Sequence, residues 1–106
     1  MVLIMSIAVP VHAEKNDSSW TLTQRYGGGD VGMFYTIKNS ADGTHIFIDG
    51  GLPENAEYVR QIIDANGGKV DYWFLTHYHA DHCGAFNELY PEYRDKIGTI
   101  YITPLT

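Results

Sequence analysis

Apolar and polar side chains alternate from Trp20 onward: "WTLTQRY" (20–26) does so almost residue by residue, and "MFYTIKN" (33–39) is rich in β-branched and aromatic side chains. Each segment predicts a strand. Between them "GGGD", Gly27 to Asp30, predicts a flexible turn. "SADG" (40–43) closes a hairpin, with Asp42 and Gly43 expected at the φ > 0 positions of a tight turn. "THIFI" (44–48) is the next strand and runs into "DGG", Asp49 to Gly51. The period then changes. Ala56, Val59, Ile62 and Ile63 recur at helical spacing as one buried stripe. Pro53 suits the first turn of that helix, Glu54 and Glu57 suit the positive end of its dipole, and Gly67-Gly68 predicts its end. The continuous apolar run "VDYWFL" (70–75) reads as a buried strand, with Trp73 and Phe74 in the core. Residues 44–75 therefore predict a βαβ unit. "AFNELYPEY" (85–93) predicts a short helix and "GTIYIT" (98–103) a last strand. Internal repeats, low-complexity tracts and linkers are absent from the sequence.

The first thirteen residues, "MVLIMSIAVPVHA", carry no charge and end in Val-His-Ala after Pro10. An apolar run closed by a small residue predicts a secretory leader over 1–13, cut between Ala13 and Glu14, and hence a secreted or periplasmic protein. The basic residues that usually open a leader are missing, and an N-terminal apolar strand is the alternative. The run is too short to span a bilayer as a helix. A chain of 106 residues holds one small domain or part of a larger one. A net charge of −6 argues against stable binding of nucleic acid through a basic face. It leaves a phosphate-bearing substrate open, because bound metal ions would reverse the local field. The single cysteine, Cys83, excludes an intramolecular disulfide, and it is expected to pack at a helix start rather than to bind metal.

"THYHADHC" (76–83) places His77, His79, Asp81 and His82 within six positions, just past the carboxyl end of the second strand of the βαβ unit. Open α/β sheets bind ligands at that edge. In extended backbone His77 and His79 share one side, Asp81 continues the alternation, and His82 turns away as a helix begins. Imidazole nitrogen and carboxylate oxygen suit zinc, and also manganese or iron. The spacing offers two ligands to one ion and two to a neighbour. Such a pair of ions can set a hydroxide against an ester, amide or phosphoryl group. A chance cluster of surface histidines is the bland alternative, and four ligand types in six positions at a strand end outweigh it. Tyr78 lines a groove or packs, His45 is expected on the surface, and His12 would leave with the leader.

"THYHADHCGA" resembles the His-x-His-x-Asp-His signature of the metallo-β-lactamase-fold hydrolases, and "IFIDGG" (46–51) is similar to the strand-Asp-Gly element before their first helix. "GGGD" resembles, more weakly, a Gly-rich turn in the competence-type branch. The resemblance covers residues 20–106 and implies an α/β fold in which residues 14–106 form the N-terminal half of an αββα sandwich, a mixed sheet with flanking helices. It makes His77 and His79 ligands of a first zinc ion and Asp81 and His82 ligands of a second. Asp81 would also orient the bridging hydroxide and is the catalytic residue. Asp49 would hold the ligands in orientation, and Thr76 would have a structural role. A histidine rather than a glutamate at position 79 favours a hydrolase over the di-iron oxidoreductase branch. The implied substrate is a small molecule or a phosphodiester. The family's remaining ligands, two histidines and a bridging aspartate, come later in its chains, and no histidine follows His82 here. The expectation is therefore a fragment of a metal-dependent hydrolase that binds metal weakly and turns over little alone. A noncatalytic metal- or partner-binding domain and a truncated inactive reading frame are the alternatives.

Overall fold

Polar turns and one glycine-terminated helix decide how the strands come together. The computed structural model describes residues 5–12, 19–26, 33–77 and 79–103, and for residues 5–12 and Asp81 it describes the backbone only. The expected "GGGD" turn and Tyr78 lie outside the described residues. Among them, six strands form one sheet in chain order: β1 (Met5–His12), β2 (Ser19–Tyr26), β3 (Met33–Asn39), β4 (His45–Ile48), β5 (Val70–Leu75) and β6 (Ile97–Ile102). The first four pair antiparallel, and β4, β5 and β6 run parallel, so the sheet is mixed as expected. Within the N-terminal apolar run, Met5–His12 forms β1, in register with β2 from Met5 opposite Tyr26 to His12 opposite Ser19. Among the described residues no helix is long and apolar enough to cross a membrane.

The β3–β4 turn forms because Asn39 Oδ1 accepts the backbone N–H groups of Ala41 and Asp42, at 2.9 and 3.2 Å. Only Gly43, at φ +74°, takes the left-handed conformation there. Asp42 does not. Its carboxylate instead accepts the N–H and hydroxyl of Thr44, which removes the need for a second φ > 0 residue. Those bonds hold the Asp42 carboxyl below the usual carboxylate range.

The crossover helix α1 (Ala56–Ala65) follows a 3-10 turn over Pro53–Asn55. It ends where Gly68 N–H reaches Ile63 O at 2.9 Å, with Gly67 and Gly68 both left-handed. The second helix, α2 (Ala80–Tyr93), runs on from the expected "AFNELYPEY" helix back through the helix start expected at His82 and Cys83, and takes in Asp81 and Ala80 as well. The cause is the His79 carbonyl, which accepts the N–H groups of both His82 and Cys83.

Both helices cover one face of the sheet. Phe34, Phe47 and Trp73 pack there against Val59, Ile62, Ile63, Ala85, Phe86 and Leu89. The Trp73 ring lies 4.7 Å from Phe47 and 5.1 Å from Phe86. Burying side chains of this size stabilises by about 1.5–3 kcal/mol each. The opposite face is less covered, which corrects two expectations. Along β5, Trp73 is buried, but Phe74 is 37% exposed and stacks on Tyr101 on the face away from the helices. His45 is 1% exposed rather than on the surface, because it shares the helix-covered face with Phe47, two residues on, and its ring packs edge-on at 5.0 Å. Burial holds the His45 pKa below its usual value.

Candidate metal centre

Where β4 ends, the chain must turn sharply to reach the 3-10 turn. Asp49 does so at φ +63° and Gly51 at φ +85°. Aspartate is one of the few residues with a side chain that visits this region at modest cost. The turn is stitched on two sides. Asp49 N–H donates to Phe74 O at 2.7 Å, and the buried Trp73 indole N–H donates to Asp49 O at 3.0 Å. On the other side Gly50 N–H donates to His82 O and Ala85 N–H to Gly51 O, so the turn is bound to the first turn of α2. Gly50 matters for its size: a Cβ there would come within 3.3 Å of the Trp73 ring.

Asp49 is buried at 7% exposure, and its two carboxylate oxygens reach Thr76 and His82. Oδ1 accepts the Thr76 N–H at 2.8 Å; Oδ2 accepts the Thr76 hydroxyl at 2.6 Å and lies 3.0 Å from His82 Nδ1. An ionised carboxylate can only accept, so His82 Nδ1 carries hydrogen. The Thr76 proton is committed to Asp49, so Thr76 Oγ1 must accept in its 3.0 Å contact with His77 Nδ1. His77 Nδ1 therefore carries hydrogen too. One carboxylate fixes the tautomer of both imidazoles, directly for His82 and through Thr76 for His77, leaving Nε2 as the basic nitrogen of each ring. Metal-binding imidazoles are commonly oriented by a carboxylate in this way.

Among the described side chains of the expected ligands, the His77 and His82 rings lie with centroids 4.3 Å apart. His77 and His79 are 6.3 Å apart and within 21° of parallel, so the expected first pair shares a side but is the looser pair. The Asp81 backbone lies in the first turn of α2, where the helix dipole favours a carboxylate. Among the described residues no three metal-capable side chains already converge on one point. The donor chemistry nevertheless fits a borderline divalent ion such as zinc: imidazole nitrogens, two of the rings oriented from behind, at the end of β5. Cys83 is buried, bonded to His79 O and approached by Asn87 Nδ2, so it packs as expected.

Two contributors escaped the sequence reading. Trp73 was expected as core alone, yet its N–H holds the Asp49 backbone; the signal was that a buried indole N–H requires an acceptor. Gly84 lets α2 approach the 3-10 turn, since a Cβ there would lie 2.6 Å from Pro53 N. The family model described as the metallo-beta-lactamase superfamily matches residues 27–103, a span that contains every candidate residue of the centre.

Proposed function

The chain belongs to the metallo-beta-lactamase superfamily, and from that premise we propose that it contributes the first ligand set of a metal-dependent hydrolase acting on an ester, amide or phosphodiester bond. The observation that carries this reading is the sharing of Asp49 between His82 and, through Thr76, His77. A structural hydrogen bond needs one partner, whereas tautomer control over two clustered imidazoles is what metal ligation requires. His77 and His79 would hold one ion and Asp81 and His82 a second, with zinc the first candidate and manganese or iron alternatives. The ions would supply Lewis acidity towards water and the scissile group. Asp81 would accept a hydrogen bond from the attacking water and align it, while Asp49 holds the orientation of the His77 and His82 imidazoles. A phosphodiester is the preferred substrate within the class, on the "GGGD" resemblance, and a β-lactam is its rival.

The test is zinc uptake and hydrolysis measured on the full-length protein and on its His77→Ala variant, with chromogenic phosphodiester, ester and β-lactam substrates. Loss of both zinc and turnover in the variant is expected; a variant that keeps both would end the proposal. A second reading is a noncatalytic domain clipped by metal. It requires that zinc raise the unfolding temperature while no substrate is turned over. Export is proposed on the uncharged run that ends at Ala13. Sequencing the N-terminus of extracellular or periplasmic protein should then begin at Glu14, and a retained Met1 would reverse it.

A further inference from the structure

At the end of β4 away from Asp49, beside the C-terminal end of α1, a cavity of about 410 Å³ opens on the helix-covered face of the sheet. Small-molecule pockets have this size. Its floor is set by register: Thr23 lies opposite Thr36 and Thr21 opposite Lys38, so alternate positions of β2 and β3, Arg25 included, line the same cavity. Among the described residues no carboxylate lines it, in a chain that carries 13 acidic and 7 basic residues. Both cations are held on neutral partners. Arg25 Nε donates to Thr36 Oγ1 at 3.1 Å, which fixes the guanidinium plane, and Lys38 Nζ donates to Asn66 Oδ1 at 2.7 Å across the mouth. Among the described residues neither cation forms an ion pair. Two like charges converging on a hydroxyl-lined hollow repel one another, and an anion placed between them would relieve that repulsion while accepting their remaining N–H groups. The buried His45 ring stands at the wall: burial lowers its pKa most, the Lys69 carbonyl and the Asp71 carboxylate oppose that, and Lys38 and Arg25 add to it.

We propose that this cavity binds a small molecule through a phosphate or carboxylate group, at a site separate from the candidate metal centre. The guanidinium takes two oxygens of the anion, Lys38 a third contact, and the threonine hydroxyls complete its shell. The experiment is titration of the metal-stripped chain with inorganic phosphate and, separately, citrate, followed by amide chemical shifts. Saturable shifts centred on Thr23, Thr36 and Lys38 are expected, with affinity reduced about tenfold or more in Arg25→Gln and in Lys38→Gln. Arg25→Gln also removes a bond within the sheet, so Lys38→Gln, at an exposed position, is the variant that decides if the first fails to fold. Saturation by phosphate alone or by citrate alone identifies the group recognised, and either supports the site. Shifts that stay linear, that survive Lys38→Gln, or that centre on Gly50 to Cys83 overturn it.

Discussion

With φ at +63°, Asp49 occupies a conformation that asparagine also tolerates, so Asp49→Asn separates its charge from its backbone. An amide can donate as well as accept, and it no longer forces hydrogen onto Nδ1 of His82 or commits the Thr76 proton. Zinc affinity, measured by competition with a chromogenic chelator, should fall roughly 10- to 100-fold. The unfolding temperature of the metal-free chain should fall far less, and unchanged zinc affinity would detach Asp49 from the centre. His45 sets a second residue-scale expectation. Burial keeps its folded pKa below the ordinary 6.5, so the unfolded chain takes up a proton first as the pH falls. Its contribution to stability is thus fully present above pH 6.5 and is lost below it as pH falls towards the folded value. Urea unfolding of the chain and of His45→Phe between pH 7.5 and 5 should show the steeper loss in the unsubstituted chain. His77, His79 and His82 are common to both proteins, so the difference between the slopes isolates His45.

At the scale of elements, Gly84 is where two opposing effects can be weighed. Alanine inside a helix is favoured over glycine by about 1 kcal/mol. At Gly84, however, its Cβ would sit 2.4 Å from Pro53 Cδ and 2.6 Å from Pro53 N, and backbone cannot swing aside as a flexible side chain can. Forced packing of this kind costs about 1–3 kcal/mol, so Gly84→Ala should destabilise the chain in urea despite its helix propensity. A rise in stability would show that α2 can move off the 3-10 turn. The elements themselves were largely legible: "MFYTIKN" is β3 and "VDYWFL" is β5 to the residue, and the stripe Val59, Ile62 and Ile63 is the buried face of α1. The start of α2 at Ala80 was not, because it is set by the His79 carbonyl, a backbone group with no composition signal. Nor was the one-sided cover of β5, since a continuous apolar run has no period from which to read a face. The cluster His77 to His82 was legible as a motif. Its ordering by Asp49 was foreseen only through a resemblance, because Asp49 and His82 are 33 positions apart and meet only after the βαβ unit has formed.

For the whole molecule, both helices lie on one side of the sheet, and the other side keeps a row of rings: Tyr72, Phe74 and Tyr101 are 40, 37 and 48% exposed. Phe74 and Tyr101 stack at 4.7 Å, and Tyr72 lies 6.5 Å from Tyr101, so the row spans β5 and the edge strand β6. A contiguous apolar surface beside a strand edge that no described residue pairs favours association of copies. The net charge of −6 opposes it, but at an exposed surface that repulsion is screened within about 10 Å at 0.1 M salt and about 3 Å at 1 M. Self-association of the chain should therefore grow as salt is raised, which is the reverse of what ion-pair contacts would give. Phe74→Lys places a charge in the middle of the row without touching the core around Trp73, so it should keep the unfolding temperature within a few degrees. In sedimentation velocity the variant should remain a monomer at salt concentrations where the unsubstituted chain forms larger species. Equal association of the two would move the contact elsewhere, to the β6 edge itself, and a substitution to proline at Thr99 would then be the one to separate the copies.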